Sequence, residues 1–403
     1  MNQGPLRGIR VIEAGRFASA PSCATVLADW GAEVIKLEPP GGDPARGPGS
    51  LGPEAGQRVN PRFDVHNRTR RSVALDLTAA SGRAVAHRLV ATADVFVTNL
   101  REPALRRLQM DAATLRGLLP ALVYAQVTGY GEADGDSRRS YDHGAFWSYS
   151  GLAALFADGD GVPPQPAGGL GDRATGSALA GAVCAALFAR QGTGQGDHVS
   201  VSLLGTAMWL MASDVADALR DPGQRRDSDR RSAAIPTVNC FRCADGRWLW
   251  LQSMLPEREW EALLDALDAR WLDEDPRFAG GNGRLTPQDR IALIETLDEI
   301  FRHRTAAEWF QRLSAAGLTA AEVRELPESV RDPLVLGSGA IRQVAHASGA
   351  YSTVSSPCSF AQAPLAEPRP APAVGAHTEE ILAEIGVDDR ELKELRASGA
   401  FGQ

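Results

Sequence analysis

Residues 8–37, GIRVIEAGRFASAPSCATVLADWGAEVIKL, read as strand, helix, strand. The apolar run Gly8–Glu13 stops before Gly15, Ala20–Trp30 places its apolar residues at helical spacing up to Gly31, and Glu33–Leu37 is apolar again. The alternation continues outward. Ser72–Leu77 reads as a third strand and Ala80–Ala91 as a helix with Val85, Leu89 and Val90 on one face. Two more strands, Ala93–Asn99 and Leu122–Val127, flank a helical stretch at Ala104–Leu118. Each parallel crossover needs a helix to cover a sheet face, so the pattern predicts an α/β fold with a doubly wound parallel sheet.

Beyond Gly171 the pattern changes. A helix of small residues is expected over Arg173–Arg190, then a strand at Asp197–Ser202 and an apolar helix to Ala218. The Arg- and Asp-rich stretch Arg220–Arg231 reads as a solvated linker. A hairpin is predicted over Val238–Ser253 about the Asp245–Gly246 turn, followed by helices at Glu257–Leu267, Gln288–His303 and Ala306–Ala315. This is a smaller α+β domain over roughly 230 to 325. The tail reads as proline-punctuated strands over 344–374 and two helices, Thr378–Ile385 and Asp388–Ala397. No internal repeat is visible.

The chain has 403 residues, 44% apolar and 23% charged, which excludes a largely disordered protein. Its net charge of −8 argues against nucleic-acid or anionic-membrane binding. Of the 42 basic residues only Lys36 and Lys393 are lysines. The longest low-polarity run, Ser177–Ala189, is too short to span a bilayer, and the first residues lack the apolar core of a signal peptide, so a cytoplasmic protein is expected. The pair Cys240 and Cys243 has no second CxxC and no nearby histidine, so no metal is expected there. Gly47, Gly49 and Gly52 spell GxGxxG, but no helix pattern opens at them and the dinucleotide reading is rejected.

Asp172 is the most suggestive residue. It follows a turn containing Gly168, Gly169 and Gly171 and precedes the small-residue helix. One reading makes it an N-cap that satisfies free N–H groups. The other makes it a carboxylate kept ionised by the helix N-terminus and left approachable by its glycine neighbours, able to attack an activated acyl group.

Together the segments resemble the class III coenzyme A transferases (CaiB/BaiF type), the family of formyl-CoA transferase and crotonobetainyl-CoA:carnitine CoA-transferase, which also includes α-methylacyl-CoA racemase. The resemblance spans nearly the whole chain. It is carried by the opening PLRGIRVIEAGRFASAPSCATVLADWGAEVIKLEPPGGDPAR, then NRTRRSVALDL, ADVFVTNLREPALRRL and LVYAQVTGYG, and further by GGLGDRATG, GTGQGDHVSVSLLG and PAVGAHTEEILAEIG.

The resemblance implies a Rossmann-like large domain built from both termini, a smaller α+β domain, and two chains interlocked as a homodimer. The implied layout is 1–205 for the first part of the large domain, 206–232 as linker, 233–325 as small domain, and 326–403 as linker and the rest of the large domain. It implies no permanently bound cofactor; coenzyme A and acyl-CoA are substrates, with a carboxylic acid as the other partner. By motif, Asp172 is the implied nucleophile, forming a mixed anhydride and then an aspartyl-CoA thioester. Phe17, Ala18, Leu75, Asp76, Thr78, Asn99, Leu100 and Arg107 fall at positions that bind CoA in relatives.

The chain also departs from the family. Relatives often carry a Gln and a Gly-Pro pair where this chain has Phe17, Ala18, Ser19, Ala20 and Pro21, and Thr78 replaces a lysine of some members. The tetraglycine loop of formyl-CoA transferase is missing, GGNG at Gly280–Gly283 lying elsewhere, so formyl or oxalyl transfer is not expected. The racemase histidine aligns with Tyr141 or Asp142, never with His143, and the racemase glutamate with Leu255 beside Pro256. Lacking both groups, the chain is expected to transfer CoA. A racemase or isomerase of the same family, or a CoA-binding relative with repurposed or lost catalysis, are the alternatives.

Overall fold

A computed structural model describes residues 4–47, 60–131, 138–221, 223, 229–254, 256–281, 285–347 and 349–402. Two compact units divide the chain. One comprises Met1–Ala153, Gln165–Leu219 and Pro333–Gln403, the other Ala154–Pro164 and Arg220–Asp332.

The first unit is built on a six-stranded parallel sheet of β1 (Arg10–Ala14), β2 (Glu33–Glu38), β3 (Arg71–Ala74), β4 (Val95–Thr98), β5 (Val123–Thr128) and β6 (His198–Ser202), in the order β3-β2-β1-β4-β5-β6. Neighbouring residues of each strand point to opposite faces, and both faces are apolar. Ile12, Ile35, Val73, Phe96 and Tyr124 belong to one buried cluster, Val11, Val34, Val95 and Val123 to the other. Helix α1 (Ser19–Asp29) packs on the second face, α2 (Pro61–Asn67) beside it, and α3 (Ala80–Val90) on the first. The stretch read as one helix is two, α4 (Glu102–Leu108) and α5 (Ala112–Leu118). Gln109 turns left-handed at φ 56°, and the Asp111 side chain caps the new helix by accepting from Thr114 N–H.

A π-helical segment at Asp142–Ser148, α6 (Leu152–Leu155) and the long α7 (Leu170–Thr193) follow. α7 can lie close on α1 because Gly176 faces the Ser19 carbonyl, where a Cβ would sit at 2.7 Å. The next apolar stretch is α8 (Leu203–Leu210) and α9 (Ala212–Arg220).

In the second unit a three-stranded antiparallel sheet of β7 (Val238–Arg242), β8 (Trp248–Gln252) and β9 (Ala320–Glu322) carries the expected hairpin at its Asp245–Gly246 turn. Helices α10 (Pro256–Ala266), α11 (Pro287–Phe301) and α12 (Ala306–Ala315) enclose a core around Phe241, Leu251, Leu297, Phe301 and Trp309, and α13 (Leu326–Ser329) follows. The strand β9 escaped the sequence reading.

The tail returns to the first unit through α14 (Pro333–Gly337). Strands were expected throughout 344–374. Among the described residues only the hairpin β10 (Ile341–Val344) and β11 (Tyr351–Val354) forms there, and Pro364, Pro368, Pro370 and Pro372 have no N–H to give a ladder beyond it. Helices α15 (Thr378–Glu384) and α16 (Asp389–Ala397) close the first sheet face through Ile381, Leu382 and Leu395. Among the described residues no helix is long and apolar enough to cross a membrane. Gly49, Gly52, Leu255, Gly283 and part of the Arg220–Arg231 linker lie outside the described residues.

Candidate active site

In a doubly wound sheet the crevice opens where the strand order reverses, here between β1 and β4. A cleft of about 480 Å³ lies there. Its walls come from Arg16–Ser19 after β1, Asn99–Arg101 after β4, Gln126–Gly129 at the end of β5, Tyr141 and Asp142, and Asp172 on α7. Phe17, Ala18, Asn99, Leu100, Arg107 and Asp172, singled out from the sequence, share this one cleft. Leu75, Asp76 and Thr78 lie outside it. The Leu75 side chain is fully buried in the core, and Asp76 holds the next turn by accepting from Thr78 N–H at 2.8 Å and Oγ1–H at 2.6 Å.

Asp172 does not cap its helix. α7 starts one turn earlier than the glycines suggested, with Gly169 as N-cap at φ 72°, and Asp172 is the third residue inside. Its carboxyl is pushed up to about 7, first by burial and second by the neighbouring Asp142 carboxylate; Arg173 and a hydrogen bond from the Ser19 hydroxyl oppose the shift. Ser19 is itself held, accepting from Asn99 Nδ2 at 2.9 Å. The Asn99 amide also clamps the β1 loop, donating to Arg16 O at 2.8 Å and accepting from Arg16 N–H at 2.9 Å.

Asp142 is 4% exposed and starts the π-helical segment. A Cβ on Gly171 would lie 2.2 Å from its Oδ1, so only glycine lets this carboxylate approach α7. Burial raises its pKa; the Gly169 and Gly171 N–H groups, His143 and Arg173 pull the other way. Two acids thus line the same cleft, with the Asp142 charge acting on Asp172. Neither Ser19 nor Asp142 was assigned a role from the sequence, where Ser19 appeared only within the departing stretch 17–21 and Asp142 only as a possible counterpart of the racemase histidine.

The β1 loop rests on buried charge. Lys36, fully buried, lies 3.2 Å from Glu13 Oε2 and 3.1 Å from Asp43 Oδ2, and donates to Gly15 O at 3.2 Å. Arg70 donates to Glu13 Oε2 at 2.8 Å. Asp43 Oδ1 then accepts from Phe17 N–H at 3.2 Å, which holds Phe17 at φ 60°, a left-handed conformation an aromatic residue rarely adopts. Among the described residues no group of three or more His, Cys, Asp or Glu could hold a metal ion.

Residues 6–378 match the model of CoA-transferase family III. The chain is 29% identical over 397 residues to (R)-2-hydroxy-4-methylpentanoate CoA-transferase of Clostridioides difficile, covering 98% of each chain. It is 30% identical over 402 residues to cinnamoyl-CoA:phenyllactate CoA-transferase of Clostridium sporogenes, covering 98% of this chain and 96% of that one. Among solved structures it resembles a CaiB/BaiF family protein from Brucella suis, with TM-score 0.82, 25% identity, and coverage of 95% of this chain and 100% of the other. With a match over nearly its whole length and named CoA-transferases on every side, the chain belongs to CoA-transferase family III and is an acyl-CoA:carboxylate CoA-transferase.

Proposed function

We propose that the protein moves coenzyme A from an acyl-CoA to a carboxylic acid through covalent intermediates on Asp172. The ionised carboxylate attacks the thioester carbonyl; the C–S bond breaks, CoA thiolate leaves, and a mixed anhydride forms. The thiolate attacks the aspartyl carbonyl, releasing the donor acid and leaving an aspartyl-CoA thioester. The acceptor carboxylate attacks that thioester to give a second anhydride and free thiolate. Thiolate attack on the acceptor's acyl carbonyl restores Asp172 and releases the new acyl-CoA. Each step exchanges one activated acyl group for another, so no ATP is consumed.

The observation that carries this reading is a partly buried carboxyl in the cleft wall, on the third residue of α7, which burial and the neighbouring Asp142 push up to about 7. Poor solvation makes the anion more basic, and hence more nucleophilic, than an ordinary aspartate, while the group still ionises within the neutral range. The Ser19 hydroxyl favours that ionised form.

In this reading Arg107, on the exposed side of α4, pairs with a CoA phosphate, and Asn99, Leu100, Phe17 and Ala18 line the path of the pantetheine arm. Leu75, Asp76 and Thr78 belong to the nucleotide end, outside the cleft. The working form is an interlocked homodimer of chains laid out as 1–205, 206–232, 233–325 and 326–403; a fully active monomer in light scattering would remove that part.

Mass spectrometry of the intact protein after incubation with a panel of acyl-CoAs tests the mechanism. The expected result is a covalent CoA adduct on Asp172, absent from Asp172→Asn. Solvent deuterium at the substrate α-carbon with no adduct would overturn it in favour of racemase-type proton transfer.

A further inference from the structure

Two exposed aromatic side chains line the cleft that Asp172 also lines. Phe17 is 37% exposed and Tyr141 68% exposed, with ring centroids 6.1 Å apart and planes at 78°. Phe17 lies two residues before Ser19, which bonds Asp172, and Tyr141 directly precedes Asp142, which packs on Gly171.

Phe17 is also held in an unfavourable backbone conformation. A φ of 60° is disfavoured for a non-glycine residue, and the Asp43 carboxylate, anchored by fully buried Lys36, keeps Phe17 there. A strained residue maintained by a buried ion pair, with its ring turned to an open cleft rather than into the core, points to a role for the ring.

We propose that Phe17, at the end of the pantetheine path nearest Asp172, and Tyr141 form the acyl pocket and select carboxylic acids with an aryl or branched aliphatic side chain over short dicarboxylic acids. This inference rests on the transferase reading above. The edge-to-face pair offers apolar surface to the substituent of an acyl group whose carbonyl is at Asp172. A second carboxylate on the substrate would enter a cleft lined by the Asp142 and Asp172 carboxyls, where burial disfavours negative charge and the Asp142 charge adds to that at Asp172.

The test is identity exchange: each acyl-CoA is incubated with its own deuterated acid, and label entering the thioester is followed by mass spectrometry. The acids are 3-phenylpropanoate, 4-methylpentanoate, acetate, succinate and glutarate. The wild-type protein is expected to exchange the first two at least tenfold faster, per kcat/KM, than either dicarboxylate. Phe17→Ala and Tyr141→Ala should each lower the 3-phenylpropanoate-to-acetate ratio by about tenfold, while Tyr141→Phe restores it and Phe17→Leu retains part of it.

Dicarboxylates exchanging fastest would overturn the proposal and leave the transferase reading standing. So would unchanged ratios in both alanine variants, or a loss of dimer in light scattering with selectivity kept, which would make the pair a contact between copies. No exchange with any acid would remove both readings.

Discussion

Replacing Asp172 by Asn should make the protein more stable and nearly inactive, with the stabilisation depending on pH. The Asp172 carboxyl is raised from 3.8 to about 7, so the folded chain retains a proton that the unfolded chain has lost between those values. Stability therefore falls as pH rises through this window, and stays lower above it. At about 1.4 kcal/mol per unit the buried charge costs about 4 kcal/mol at pH 8. Asn has the shape of the protonated acid and carries no charge. The expected result is equal stability of the two proteins near pH 3 and a variant about 4 kcal/mol more stable at pH 8. Urea unfolding of both proteins across that range gives the difference curve, in which every other titrating group except Asp142 cancels; the curve belongs to the coupled pair. A difference that does not change with pH would show that Asp172 ionises as freely in the fold as in the unfolded chain, and the argument for an activated nucleophile would fail. Turnover should drop by orders of magnitude once deamidation back to Asp has been excluded.

For the wild-type protein, kcat/KM toward an acyl-CoA should rise with pH through a midpoint at about 7 and level off roughly a unit or more above it, since the anion attacks; Asp142→Asn removes a like charge and should move that limb to lower pH, read from pH–rate profiles. Lys36→Met strips the cation from fully buried Glu13 and from Asp43, and should cost about 3–5 kcal/mol in urea unfolding even though Arg70 still pairs with Glu13. Arg107→Ala should weaken binding of CoA more than of dephospho analogues lacking the phosphate it pairs with; equal losses in calorimetry would remove it from the phosphate site.

The parallel sheet was legible because each strand of the first 130 residues is an apolar run bounded by punctuation, and β1, β2, β4 and β5 fall within two residues of the expected ends. Gln109 was not legible as a break: nothing local to Gln marks a left-handed turn, although Asp111 three residues before Thr114 was a usable cap signal. β9 is three residues long, too short to show periodicity. Asp172 stood out for its glycine neighbours, yet the capping role rested on where the helix would begin, and it begins at Leu170. Asp142 and Ser19 could not be read as partners of Asp172. Their meeting depends on two glycines, Gly171 and Gly176, that let other segments approach α7, a property of packing rather than of spacing along the chain.

The burial of Lys36 has a practical corollary. The chain carries two side-chain amines, and one of them is sealed at 0% exposure between Glu13 and Asp43 while Lys393 stands exposed on α16. Among the lysines, an amine-reactive ester applied to the native protein should therefore attach dye, biotin or resin to Lys393 alone, the α-amino group being the other amine it can acylate. Acylation of Lys36 then becomes a clock for the opening of the sheet beneath the active loop, because no reagent can reach that nitrogen until β1 and β2 part from the charges around it.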